Sequence, residues 1–151
     1  MAASQLKTQL DGEIKRALKA GDKVRLGALR MLSAGITNRE KEVLHELTDD
    51  EVREVAAREV KRRSESIEAF EGAGRDELAE KERAEREILA AYAPEQLGDD
   101  ELDALIDEAI AATGATSEKQ VGTVMGAVMP RVKGKADGTV VQAKVRAKLS
   151  A

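Results

Sequence analysis

The chain has 151 residues, 42% hydrophobic and 36% charged. That is enough apolar content for a packed core, which excludes a disordered polyelectrolyte. No run of about 18 apolar residues exists to cross a membrane, and without cysteine there is no disulfide framework or thiol chemistry. Aromatics are 1%, Phe70 and Tyr92, so the core must be aliphatic. The net charge of −4 hides an asymmetry: residues 119–151 carry seven Lys/Arg against Asp137 alone, or +6, leaving −10 on the first 118 residues. Such polarity suggests an anionic partner for the basic end, with a merely solvated surface as the plain alternative. The first residues lack a positive n-region and an apolar h-region, so a cytoplasmic location without membrane attachment is expected.

Apolar spacing predicts helices throughout. Leu6, Leu10, Ile14 and Leu18 recur every four residues over Ser4–Ala20. Gly21 suits a left-handed C-terminus, and Asp22 suits the N-cap of the next helix. That second helix, Lys23–Leu44, is apolar on more than one face through Val24, Leu26, Leu29, Met31, Leu32 and Ile36. It is the candidate central helix of the N-terminal unit. Thr48 and Glu51 form a capping-box pattern that opens a third helix running to about Glu71. Its inner stripe is Val52, Val55, Ala56, Val60, Ile67 and Phe70, with Glu54/Arg58 and Glu59/Arg63 expected as pairs on the outer faces. A fourth helix, about Arg75–Ala91, is charged nearly all round. It offers a core only Leu78, Ile88, Leu89 and Tyr92, so it is expected to be an exposed arm of a helical hairpin.

The pattern breaks at Ala93–Gly98, where Pro94 disfavours a helical Ala93. This separates an N-terminal domain over residues 1–93 from a C-terminal domain over 98–151. A fifth helix follows with Asp99, Asp100 and Glu101 in its first turn, where acids complement the helix dipole. Leu102, Leu105, Ile106, Ala109 and Ile110 form its stripe, and Gly114 ends it. Ser117 and Gln120 form a second capping box. In the sixth helix Val121, Val124, Met125, Val128, Met129 and Val132 share one stripe, while Gly122 and Gly126 offer a face for close backbone approach. Pro130 is expected to bend or restart it. The turn Lys133-Gly134-Lys135-Ala136-Asp137-Gly138 leads, with Asp137 as cap, into a seventh helix packed through Val141, Val145 and Leu149. The reading is all-α: an N-terminal unit of long helical hairpins and a compact three-helix C-terminal domain.

The stretch Met125-Gly126-Ala127-Val128-Met129-Pro130-Arg131-Val132-Lys133-Gly134-Lys135-Ala136-Asp137-Gly138 resembles the signature of the GatB/YqeY family. Leu29-Arg30-Met31-Leu32, Arg58-Glu59-Val60-Lys61-Arg62-Arg63 and Tyr92-Ala93-Pro94-Glu95-Gln96-Leu97 extend the likeness to the stand-alone YqeY type found in bacteria. The family usually has Ser where this chain has Gly98, so the fifth helix is more weakly capped here. The family also includes the tail domain of the B subunit of the tRNA-dependent amidotransferase. The resemblance therefore implies tRNA as a partner, with a protein partner in tRNA-dependent amidation, and an association with carbon–nitrogen ligase activity using glutamine as amide donor.

The residues themselves supply little catalytic equipment. His45 is the single histidine, no phosphate or dinucleotide loop occurs, and no ligand spacing suggests a metal. Neither a glutaminase nucleophile nor an ATP site is recognisable, so no catalytic residue and no cofactor is expected. The candidate RNA-binding residues are Arg131, Lys133, Lys135, Lys144 and Lys148, with Arg146 as a possible extension of the patch. Lysines neutralise phosphates without reading bases, and the basic segment has no aromatic for stacking, which favours a folded RNA held by shape and backbone. Gly134, Asp137 and Gly138 are assigned to turn structure. A second basic group, Arg58, Lys61 and Arg62, is read as a solvated face, with auxiliary RNA contact as its alternative. Against the tRNA-associated module without an active site of its own stands a helical protein-interaction adaptor that uses the charged third and fourth helices.

Overall fold

Capping chemistry places the first helices. In the computed structural model, which describes residues 4–150, the Ser4 hydroxyl accepts from the Lys7 N–H at 3.2 Å and starts α1, Gln5–Ala20. Gly21 closes it in the left-handed region at φ 72°. Asp22 then accepts from the Arg25 N–H at 3.1 Å and opens α2, Lys23–Val43. Thr48 and Glu51 complete both halves of their capping box, at 3.2 and 3.1 Å, ahead of α3, Asp49–Gly72. The remaining helices are α4, Asp76–Ala90; α5, Asp99–Thr113; α6, Val121–Val132; and α7, Gly138–Ser150. A short 3-10 turn, Glu118–Gln120, precedes α6, and no strand occurs among the described residues.

The chain divides into two compact units, Met1–Pro94 and Glu95–Ala151. In the first, α2 touches α1, α3 and α4, and α3 likewise touches the other three, so the central position expected of α2 is shared with α3. Leu10, Ala17, Leu29, Leu32, Ile36, Val52, Val55, Ala56, Leu89 and Tyr92 form its core. Gly35 lets α2 and α3 close up, since a Cβ there would lie 3.2 Å from Val55 Cγ1. Val24 and Met31, both counted among the apolar positions of α2, are exposed instead. The Tyr92 hydroxyl donates to Glu13 Oε2 at 2.6 Å. Burial first, and then that acidic acceptor, raise the phenol well above its ordinary value.

Two expectations fail at the α3–α4 hairpin. Glu59 and Arg63 do not lie on an outer face: they are 7% and 3% exposed, in the stripe between Ala56 and Ile67. Nor is α4 an exposed arm, since it packs on both α2 and α3 with Ala79 and Leu89 wholly buried. The reason is one arrangement. Arg63 holds Glu59 at 3.0 Å on its own helix and reaches Glu85 at 3.1 Å and Glu82 at 3.5 Å on α4. Its Nη2 also donates to Met31 Sδ at 2.8 Å. A buried guanidinium with carboxylate partners is tolerable where an unpaired one is not.

The second unit is aliphatic throughout. Leu102, Ile106 and Ala109 of α5 meet Val121, Val124, Val128 and Val132 of α6 and Val141, Val145 and Leu149 of α7. Gly98 makes no side-chain cap on α5, while Ser117 and Gln120 complete their capping box around the 3-10 turn. Pro130 lies inside α6 and the helix runs on through it to Val132. It sits in the last turn, and the carbonyl it leaves without an N–H partner belongs to exposed Gly126, where solvent can serve. Gly122 and Gly126 do not mediate a close backbone approach: a Cβ at either would meet nothing within 4 Å.

Candidate nucleic-acid interface

The basic turn between α6 and α7 is held by its own backbone. The Lys135 and Ala136 N–H groups return to the Val132 carbonyl at 2.8 and 3.1 Å. Gly134 takes φ 75°, the left-handed region that glycine enters without steric cost. From the preceding segment, Leu97 N–H donates to the Lys135 carbonyl at 2.9 Å and Gln96 Nε2 to the Gly134 carbonyl at 2.8 Å. Asp137 Oδ1 accepts from Thr139 N–H at 2.8 Å at the start of α7. Of the three turn residues, Gly134 and Asp137 thus have a defined job. Gly138 is the first residue of α7, has no positive φ, and rests in ordinary contact with Met129, where a Cβ would lie 3.6 Å from the Met129 methyl. The outcome is a fixed turn that leaves Lys133 and Lys135 exposed.

The other candidate cations are engaged by α5. Lys144 lies 3.1 Å from Asp103 and 3.7 Å from Asp99; Lys148 lies 2.9 Å from Asp107 and 3.9 Å from Asp103. Arg131 lies 3.3 Å from Glu108. The hydrogen bond to Asp103 raises the Lys144 ammonium above its ordinary value, against the opposing effect of partial desolvation. The charge asymmetry is therefore internal to the second unit. Residues 95–118 hold eight carboxylates and no Lys/Arg, and residues 119–151 hold seven Lys/Arg and one Asp. Both units then come to −2, for residues 1–94 carry 18 basic and 20 acidic side chains. An acidic N-terminal unit facing a basic C-terminal one is not what the chain presents.

Helix-dipole chemistry accounts for Asp99, Asp100 and Glu101 in the first turn of α5, but Asp103 and Asp107 lie beyond that turn and go unnoticed by the same argument. The available signal was the spacing: Asp99, Asp103 and Asp107 recur every four residues and so share a face, as Lys144 and Lys148 do. Of the second basic group, Arg58 and Arg62 line an open groove of about 370 Å³ with Arg39 and Asn38 of α2, beside Glu42 and Glu59, while Lys61 does not join it. His45 is exposed beyond α2, its Nδ1 2.9 Å from the Glu46 carbonyl. Among the described residues no helix is long and apolar enough to cross a membrane.

The model of the family described as Yqey-like protein matches residues 7–149. The chain is also similar to a fungal protein, altered inheritance of mitochondria protein 41, mitochondrial, of Pyrenophora tritici-repentis. The two are 32% identical over 141 residues, spanning 91% of this chain and 77% of the other. The chain belongs to the YqeY-like family, which is related to the tail domain of the amidotransferase B subunit.

Proposed function

We propose that this member of the YqeY-like family is a tRNA-associated accessory module with no active site of its own, holding a folded RNA through its phosphate backbone. The observation that supports this reading most directly is the Lys133-Gly134-Lys135 turn. Its carbonyls are committed to Gln96 and Leu97, so the loop is ordered before any partner arrives while two lysines face outward. Preorganisation lowers the ordering cost of binding. The likeness to the amidotransferase tail, a domain that helps hold tRNA, favours the same partner. In this reading amide transfer is left to other chains, and the module works in the cytoplasm; the fungal relative's name assigns that protein to mitochondria.

The test is a titration of the full chain with tRNA across salt concentration. Affinity should fall steeply with salt, since each phosphate contact adds roughly 0.7 to 0.9 to the logarithmic slope. Replacing Lys133, Lys135, Lys144 and Lys148 by Gln should leave folding intact, remove most of the affinity and flatten the slope. Equal binding by that variant, or no binding by the parent at low salt, overturns the proposal. The adaptor reading then takes its place.

A further inference from the structure

We infer that the aspartate face of α5 is a built-in competitor for the anionic partner, occupying the lysines of α7 until a row of phosphates displaces it. The inference rests on the RNA-binding reading and adds to it how that binding is held back. Asp99, Asp103 and Asp107 are one helical step of four residues apart, about 6 Å along the axis. Lys144 and Lys148 have the same step on α7. The two rows are in register: Lys144 sits between Asp99 and Asp103, and Lys148 between Asp103 and Asp107. Each ammonium thus already has two carboxylates in place of phosphate oxygens.

The arrangement is displaceable. The Asp99 and Asp107 side chains are 87% and 64% exposed, so they can turn to water without leaving a buried charge. Asp103 is 39% exposed and the two lysines 24% and 28%, so the pairs are half-buried at the lysine end but open to water on the carboxylate side, where such pairs are weak and screened by salt. A single phosphate offers one α7 lysine nothing that Asp103 does not. A polyanion already seated on the Lys133–Lys135 turn presents further phosphates at high local concentration and can exchange with the row. The competitor therefore selects an extended phosphate backbone over isolated phosphate groups.

The experiment compares two neutralisations of equal charge in the full chain, read by tRNA affinity at low salt. Asp103→Asn with Asp107→Asn removes two competitor carboxylates. Glu101→Gln with Glu118→Gln removes two carboxylates of the same unit for which no ion pair is found among the described residues. Releasing lysines to phosphates should tighten binding by about tenfold in the first variant and by less than about threefold in the second. Adding Lys144→Gln and Lys148→Gln should cost less than about threefold in the parent and about tenfold in the Asp103/Asp107 variant, a coupling that net charge alone does not produce. The Ala versions of the aspartate changes, with better helix propensity, should repeat the contrast. If both neutralisations tighten binding equally, the competitor is overturned while RNA binding stands. If neither the parent nor any variant binds tRNA, the RNA reading has failed and this inference fails with it.

Discussion

Leu44 holds a backbone conformation that an L-residue adopts at a cost. It caps α2 at φ 61°, the one non-glycine with positive φ among the described residues, and the residue is 88% exposed. A left-handed conformation costs an L-residue roughly 1–2 kcal/mol, which glycine avoids. Leu44→Gly should therefore raise stability by about 1 kcal/mol, after allowing for the entropy glycine adds to the unfolded chain. Thermal or urea melting would show it, and a destabilised variant would mean that the leucine packs where the structure shows none. Nothing in the sequence around Leu44 announced this, because φ at a helix end is set by where Leu47 and Thr48 must go next. Gly134 was legible for the opposite reason: a basic glycine turn between two apolar stripes leaves few other uses for a glycine.

At the level of the helix, local rules were good guides to ends and poor guides to faces. Asp22, Thr48 and Asp137 each cap the helix expected of them, and Ser4 caps the first helix as well, because capping involves residues only two or three apart. Glu59 and Arg63 also meet as expected, at i and i+4. What local spacing does not contain is the second helix. Glu82 and Glu85 of α4 bring their carboxylates to Arg63, which turns an outer-face pair into an inner one. Arg63→Ala should destabilise the first unit by about 3 kcal/mol, since removing one partner strands carboxylates such as Glu59 away from water. Denaturant unfolding measures it. A loss of only a few tenths would place the guanidinium on the surface, where such pairs contribute little.

The molecule as a whole is two units, and the chain between their helices is not evenly shared. Tyr92 and Ala93 pack with the first core, and Leu97 with the second. A fragment over residues 95–151 should fold as a helical domain. A fragment over 98–151 should melt lower by about 2 kcal/mol, having lost Leu97 burial and the two hydrogen bonds to the basic turn. Circular dichroism on both fragments checks this, and equal stability would show that residues 95–97 contribute nothing to the unit. The same segment links fold to function, because its bonds fix the turn that presents Lys133 and Lys135.

The all-α class, the helix order, the caps and the aliphatic stripes were written in intervals of two to eleven residues, the range over which backbone hydrogen bonds and helical periodicity operate. The family could be seen in the same way, from one contiguous stretch. The state of the charges could not. Lys144 and Asp103 are 41 residues apart, Arg63 and Glu85 22, and whether a cation is bare, paired or buried depends on which helix face lies opposite. Summed along the chain, the basic end reads as +6; folded, most of its lysine face already meets α5. Charge acts through space with a range of several ångströms, so its meaning is set by packing, which brings together residues that sequence spacing keeps apart.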